Sequence, residues 1–107
     1  MRLKLFALLL LLPSFSHAVD AKLMISILEC ESSGRFDAIG DGGLSHGIAQ
    51  FRRDTFYEFA RLAKMKGMRW KNPIHQMRVM NWALDNGYGR RWTCYRKLTK
   101  TGEFKDS

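Results

Sequence analysis

A short apolar run close to the N-terminus limits the fold of this chain more than any other feature. Two basic residues, Arg2 and Lys4, precede apolar residues 5–12, and small residues follow as far as Ala18. This order is typical of a secretory signal peptide. A membrane span is the alternative, but the run is too short for a bilayer core and a proline ends it. We expect residues 1–18 to be removed, and removing 18 of 107 residues leaves 89, enough for one domain and too few for two.

The expected mature chain keeps two cysteines, Cys30 and Cys94. Export would expose them to oxidising surroundings, which favour a disulfide. That bond would close a loop of about 65 residues and contribute about 4 kcal/mol in the chain-entropy model. Two free buried thiols are the alternative.

Charge is divided unevenly along the chain. Residues 19–51 carry two basic and five acidic residues, a net charge of −3, whereas residues 52–107 carry 14 basic and five acidic residues, a net charge of +9. Nucleic acid is one partner for a basic face, but an exported chain is better matched to an anionic cell wall or membrane surface. Solubility alone is the plain alternative. We expect a monomer with no nucleic-acid partner and no stable membrane insertion after leader removal.

Helical periodicity dominates the chain after residue 19, and no alternating apolar run predicts a large sheet. The second of three predicted helices has Thr55 and Glu58 at capping-box spacing, and an Asn-Pro pair opens the third. The predicted helices lie at about 20–33, 54–67 and 72–87.

The remaining segments are expected to be irregular. Residues 34–51 are rich in glycine, which predicts either a short hairpin or a binding loop. Residues 88–98 are aromatic and basic, and we expect Trp92 and Tyr95 to pack against the helices. Residues 99–107 are predicted to form a flexible polar tail.

Two glutamates flank Cys30, and helical geometry separates them. At about 100° per residue, Glu31 falls within the apolar stripe of Ile27 and Leu28, whereas Glu29 points about 160° away. A carboxyl group at the end of a buried stripe has a raised pKa and keeps its proton at neutral pH. A protonated carboxyl is what a glycosidic leaving oxygen requires. The alternative is a carboxylate at the helix end that bends out to solvent.

Several short motifs then follow in a defined order: Cys30-Glu31-Ser32, Gly47-Ile48-Ala49-Gln50-Phe51, Gln76 and Trp92-Thr93-Cys94. Their order and spacing resemble the lysozyme-like superfamily, in particular soluble lytic transglycosylases and resuscitation-promoting factors, over most of residues 24–95. The resemblance implies a mainly α, lysozyme-like domain at 19–98. This domain would have three or more helices around a glycine-rich loop or short hairpin, with one disulfide.

The resemblance also implies roles for individual residues. Glu31 would be the general acid, and the disulfide of Cys30 with Cys94 would tie its helix to the C-terminal segment. Gln50 would face a glycan cleft, with a loop-stabilising amide as the alternative or additional role. Tyr95 matches a late tyrosine that contacts the reaction centre of related transglycosylases.

Two further groups of residues bear on the expected site: aromatic residues and histidines. Tyr88 is a second candidate for stacking on sugar rings, whereas core packing is the stronger expectation for Trp92 and Trp82. His46 and His75 are too few and too far apart in sequence to predict a metal site. We expect no metal and no cofactor.

The position of Ser45 bears on the type of reaction. Animal-type lysozymes have a similar run that aligns with Asp41 to Gln50 and places their second catalytic carboxylate at Ser45. A serine cannot be the charged nucleophile or stabiliser of a retaining hydrolase. Ser45 would instead hydrogen-bond the N-acetyl group of the substrate or the sugar.

We therefore predict an exported lytic transglycosylase that works on peptidoglycan in the periplasm or at the cell wall. It would cut the β-1,4 bond between N-acetylmuramic acid (MurNAc) and N-acetylglucosamine (GlcNAc). The substrate's N-acetyl group would stabilise the oxocarbenium ion, and Glu31 would act as acid and then as base. A hydrolysing lysozyme that uses Asp41, or a non-catalytic wall-binding or resuscitation factor, is the alternative.

Overall fold

The computed structural model describes residues 13–102 and 104, with burial of side chains from residue 21 onward. Most of the predicted signal peptide, residues 1–18, therefore lies outside the described residues. Over the described range, no helix combines the length and the apolar character needed to span a bilayer.

The described residues are mainly helical, as predicted. A small antiparallel sheet of three strands, arranged in their sequence order, lies between the first two helices of the chain. The helices are α1 (Pro13–Ser32), α2 (Arg53–Leu62), α3 (Pro73–Asp85) and α4 (Thr93–Lys100). The strands are β1 (Ile39–Gly40), β2 (Ser45–His46) and β3 (Phe51–Arg52), and 3-10 turns occupy Asp41–Gly43 and Gly89–Arg91. The glycine-rich segment is thus a hairpin extended by a third strand, which confirms the hairpin prediction.

Helix α2 begins one residue earlier than predicted and lacks the expected capping box. Arg52 occupies the N-cap position without a side-chain cap hydrogen bond. Because the helix already starts at Arg53, Thr55 lies within its first turn and cannot serve as the N-cap of a box with Glu58. This part of the prediction was wrong.

The same helix ends at Leu62 rather than at Gly67. The Met65 amide donates to the Ala60 carbonyl at 2.9 Å, and Lys64 has a left-handed φ of +58°. This is the arrangement of a Schellman C-cap, which usually places glycine where Lys64 lies. The predicted end was wrong because a non-glycine residue takes the left-handed position.

Helix α3 has the predicted start. The Asn72 side chain accepts a hydrogen bond from the His75 amide at 3.0 Å, and Pro73 is the first helical residue. Proline fits there because the first-turn amides have no partner within the helix.

The C-terminal segment is helical, which the sequence pattern did not predict. Trp92, at 5% exposure, packs in the core as expected, and α4 buries Cys94 and Tyr95 on one face. The helix ends at Lys100, so it includes the first two residues of the predicted tail. Phe104 packs partly buried against the core, and residues 103 and 105–107 lie outside the described residues.

One core joins all four helices and the loop after β2. Its centre is aromatic: the Phe51 ring lies 5.4 Å from the Phe56 ring and 5.3 Å from the Trp92 ring, centroid to centroid. Edge-on contacts of this kind are favourable for aromatic pairs. The core residues are Leu23, Ile27, Leu28, Ile48, Ala49, Phe51, Phe56, Phe59, Ala60, Val79, Met80, Ala83, Leu84, Trp92, Cys94 and Tyr95.

A buried amide, Gln76 on α3, holds the loop between β2 and β3. Its Oε1 accepts a hydrogen bond from the Ala49 amide at 2.9 Å. Its Nε2 donates to the carbonyls of His46 at 2.8 Å and Trp70 at 2.7 Å. Both amide protons of the fully buried side chain are therefore used, and the loop is fixed to the helix.

Gly47 allows the loop to approach Gln76. It has a φ of +90°, and a Cβ there would lie 2.6 Å from the Gln76 amide atoms. Any side chain would thus strain the backbone and displace the amide as well.

We predict that Gly47→Ala lowers the free energy of unfolding by about 3 kcal/mol, because it adds a collision to left-handed strain. Gly67→Ala is the matched control: Gly67 has a φ of +74°, but, apart from Gly67 itself and its two chain neighbours, no atom lies within 4 Å of the position that an added methyl group would take. Its cost should be about 1 kcal/mol. Urea unfolding of the oxidised protein measures both, and equal losses would contradict the role of the Gln76 contact.

Candidate active site

Glu31 lies in the last turn of α1, and its carboxylate reaches the beginning of α4. Its Oε2 accepts a hydrogen bond from the Cys94 amide at 3.1 Å. The adjacent Cys30 forms a disulfide with Cys94, with 5.9 Å between the Cα atoms. The predicted disulfide is confirmed, and one covalent bond and one hydrogen bond connect the same two helix ends.

The exposure of the flanking residues follows the helical angle. Ile27 and Leu28 are buried, Glu31 is partly buried and Glu29 is exposed. The helix therefore turns Glu31, and not Glu29, toward the rest of the domain.

The surroundings of Glu31 raise the pKa of its carboxyl group. Burial is the largest cause, and the negative charge of Asp41 acts in the same direction. The Cys94 amide, Lys97 and Arg96 lower the pKa, but the net shift is upward. A carboxyl group in this setting holds its proton to a higher pH than an exposed glutamate.

Asp41 and Ser45 form a pair in the hairpin. The buried Ser45 hydroxyl, 2% exposed as a residue, donates to Asp41 Oδ2 at 2.5 Å. The Arg52 Nε lies 3.9 Å from the same oxygen. The Asp41 carboxylate is therefore engaged on the hairpin, although its charge acts on Glu31.

Gln50 closes the hairpin loop. Its Nε2 donates to the carbonyls of Ala38 at 3.1 Å and Gly47 at 2.9 Å. The backbone of Gln50 is left-handed, with a φ of +51°. The loop-stabilising role is thus present in the structure, and the role in contacting a glycan stays a prediction.

A cavity of about 120 Å³ opens beside Asp41 and Ser45. The predicted residues Ser45 and Gln50 line it together with Asp41, and Phe51 and Trp92 add apolar surface. Three further polar residues that the sequence pattern did not predict also line it: Arg52, Thr55 and Arg91. The basic character of the second half of the chain was the only signal of the two arginines.

Glu31 and the two predicted tyrosines are not among the residues that line this cavity. Tyr95 is 3% exposed, and its ring packs against Gly89 so closely that a Cβ there would lie 2.6 Å from Tyr95 Cδ2. Tyr88 packs against Phe59 at 4.9 Å and Trp82 at 5.7 Å between ring centroids. Their roles as substrate contacts stay predictions.

The buried Trp92 side chain makes a hydrogen bond that satisfies its indole N–H. Its Nε1 donates to the Ala49 carbonyl at 2.8 Å, so the residue before α4 also holds the loop that Gln76 binds.

His46 and His75 are used in local packing. The His46 ring lies 5.7 Å from the Trp70 ring, and His75 Nδ1 accepts a hydrogen bond from the Arg69 amide. Among the residues that the structure describes, no three His, Cys, Asp or Glu side chains are grouped to hold a metal ion.

Comparison with known proteins adds a sequence relationship to this geometry. A family model described as phage tail lysozyme matches residues 21–107. The matched range contains Glu31, the hairpin and the three following helices. No curated protein and no solved structure matches the chain.

The raised pKa of Glu31 predicts a pH dependence of stability. Because the folded-state pKa lies above the ordinary value of 4.5, the folded protein binds this proton more tightly than the unfolded chain does. Stability from Glu31 is therefore present at low pH and is lost as pH rises from about 4.5 through the folded-state pKa. The free energy of unfolding of Glu31→Gln, minus that of wild type, should increase across this window and then level off.

Urea unfolding at a series of pH values measures this difference. Glu29→Gln removes an exposed carboxylate from the same helix and should show no comparable trend. A difference for Glu31→Gln that is independent of pH would contradict the raised pKa.

Proposed function

The chain belongs to the phage tail lysozyme family, and from this premise we propose that it is an enzyme that cleaves the glycan strands of bacterial peptidoglycan. The family lies within the lysozyme-like superfamily that the sequence motifs predicted. The bond cut is the β-1,4 bond between MurNAc and GlcNAc.

The position of Glu31 is the observation that carries this proposal. Its carboxyl group is partly buried, has a raised pKa and is held in place by the Cys94 amide. These properties suit a general acid that transfers its proton to the glycosidic oxygen as the bond to the anomeric carbon breaks.

The finer proposal is a lytic transglycosylase in which Glu31 is the single catalytic carboxylate. The substrate's N-acetyl group stabilises the oxocarbenium ion after bond cleavage. The Glu31 carboxylate then takes the proton from the C6 hydroxyl of MurNAc, whose oxygen attacks the anomeric carbon and forms the 1,6-anhydro product. No water enters the product.

The contacts of Asp41 and Ser45 support the single-carboxylate reaction. Asp41 Oδ2 already accepts from Ser45 and lies near Arg52, so the carboxylate is occupied within the hairpin. Since the Ser45 hydroxyl uses its proton on Asp41, its oxygen can accept a hydrogen bond from the N–H of the N-acetyl group. Ser45 would then orient that group for its attack.

A hydrolysing lysozyme is the second candidate, and one observation favours it. The charge of Asp41 raises the pKa of Glu31, so the two carboxyl groups lie within electrostatic reach. If Asp41 leaves its contact with Ser45, it becomes the second carboxylate that hydrolysis requires. Membership of a family described as a lysozyme is compatible with this reaction.

Export is part of the proposal. The disulfide between Cys30 and Cys94 and the leader-like sequence of residues 1–18 support a location outside the cytoplasm, in the periplasm or at the cell wall. Peptidoglycan is found there.

We predict that Glu31→Gln lowers the cleavage rate by about 10²–10⁴-fold, because an amide is too weak an acid to transfer a proton to the glycosidic oxygen. Clearing of purified peptidoglycan suspensions measures the rate, and Glu29→Gln on the exposed side of α1 is the matched control. Glu29→Gln should keep wild-type activity. A Glu31→Gln enzyme that clears peptidoglycan at the wild-type rate would refute the assignment, and wall binding without turnover by wild type would favour the non-catalytic alternative.

Mass spectrometry of the products separates the two reactions. A transglycosylase yields anhydro ends, which are one water lighter than the reducing ends that a hydrolase yields. We predict that wild type yields anhydro ends and that Asp41→Asn keeps this product with less than about a tenfold loss of rate, since Asp41 is not the nucleophile.

Asp37→Asn provides the control, because Asp37 is an exposed carboxylate on the same segment that pairs with Arg35. Reducing ends from wild type, together with inactivation by Asp41→Asn alone, would establish the hydrolase instead.

A further inference from the structure

Two arginines line the cavity beside Ser45, although the proposed bond cleavage does not require them. Arg52 belongs to β3, and Arg91 ends the 3-10 turn before Trp92. Together they carry two positive charges against the one negative charge of Asp41. The residues that line the cavity therefore sum to one positive charge, which favours an anionic ligand, and Glu58, which pairs with Arg91, lies outside this lining.

The guanidinium group of Arg91 is held in place by two contacts. Its Nη2 lies 3.5 Å from Glu58 Oε1, and its Cζ lies 5.1 Å from the centre of the Phe59 ring. A guanidinium group carries five N–H donors, so a single ion pair does not exhaust it. Fixing the plane of the group lowers the entropy lost when it binds a carboxylate through two parallel hydrogen bonds.

Arg52 and Thr55 add further donors to the same cavity. Arg52 contacts Asp41 through Nε, at 3.9 Å, and the terminal nitrogens of the group extend beyond this atom. Thr55, in the first turn of α2, contributes a hydroxyl to the lining. Oxygen anions are bound by groups of this kind.

The size of the cavity limits what it can hold. Its volume of about 120 Å³ is below the roughly 300 Å³ of a typical small-molecule site. It therefore suits one functional group of a larger ligand. In peptidoglycan, the sugar hydroxyls and N-acetyl groups are neutral, whereas the peptide stems attached to MurNAc carry free carboxylates.

We propose that Arg52 and Arg91 form a subsite for a carboxylate of the peptide stem, so that the enzyme acts on peptide-bearing glycan in preference to peptide-free glycan. This inference rests on the proposed function. It adds a determinant of substrate choice, and it assigns the two arginines to binding rather than to bond cleavage.

The first test compares kcat/KM on two substrates, peptidoglycan with intact stems and the same glycan after amidase removal of the stems and amidation of the MurNAc lactyl carboxylates that this cleavage exposes. Arg52→Gln and Arg91→Gln should each lower kcat/KM on the stem-bearing substrate about tenfold, the effect of one charged hydrogen bond, through KM. Arg91→Gln should leave kcat/KM on the peptide-free substrate unaffected. Arg91→Lys should recover part of the loss, because lysine keeps the positive charge but cannot form two parallel hydrogen bonds with a carboxylate.

Arg78→Gln is the matched control for charge, since Arg78 is exposed on α3 and does not line the cavity. It should leave the preference for stem-bearing glycan intact. Wild type with equal kcat/KM on both substrates would overturn the subsite while leaving the proposed cleavage intact. So would arginine variants that lose activity equally on both.

A second test does not depend on turnover. In the Glu31→Gln protein, calorimetry measures the binding of a stem tetrapeptide with free carboxylates, the same peptide amidated, and inorganic phosphate. The free peptide should bind about tenfold more tightly than the amidated one, and Arg91→Gln should abolish the difference. Equal binding of the two peptides would overturn the inference, and so would tighter binding of phosphate, which would assign the site to a phosphate-bearing wall polymer. If wild type cleaves no glycan, the proposed function fails, and this binding test still decides the subsite.

Discussion

The hydrogen bonds of the buried Gln76 amide are the interaction on which the rest of this small domain depends. They fix β2 and the loop after it to α3 through the backbone of His46 and Ala49, and they hold the segment before α3 through the Trp70 carbonyl. Breaking one of them would leave a buried polar group without a partner, which costs about 1–3 kcal/mol. Because β2 contains Ser45 and the loop after it contains Gln50, the same bonds position the hairpin side of the cavity. The fold and the site therefore share their most important contact.

A second connection sets the position and the chemistry of the acid. The disulfide holds the end of α1 at the beginning of α4, and this places the Cys94 amide against Glu31. The contact has opposing effects on the carboxyl group: packing against α4 buries it and raises its pKa, whereas the amide stabilises the charged form. Burial is the larger effect. The disulfide thus brings together the conditions for a proton donor, in addition to limiting the unfolded chain.

Local patterns predicted what depends on neighbours in sequence. Spacing or residue type was enough to predict three features: the side of α1 that Glu31 occupies, the start of α3 at Asn72 and Pro73, and the single disulfide. The end of α2 was predicted wrongly because Lys64 takes a left-handed backbone conformation that glycine usually adopts at a helix end. The convergence of Arg52 and Arg91 on one cavity was also missed, since residues far apart in sequence meet only through tertiary packing. The role of Gln76 as a buried clamp belongs to the same class, because its partners lie up to 30 residues away.

The relation between Glu31 and Asp41 favours the single-carboxylate reaction over hydrolysis with two carboxylates. Burial contributes most to the raised pKa of Glu31, and the charge of Asp41 contributes less than either burial or the opposing Cys94 amide. Burial is therefore the main reason that Glu31 holds its proton, and the charge of Asp41 adds to it. Asp41, in turn, has partners of its own in Ser45 and Arg52, so recruiting it as a second carboxylate would require breaking its hydrogen bond with the buried Ser45 hydroxyl. A reaction that leaves this pair intact does not require that hydrogen bond to break. The substrate's own N-acetyl group makes such a reaction possible.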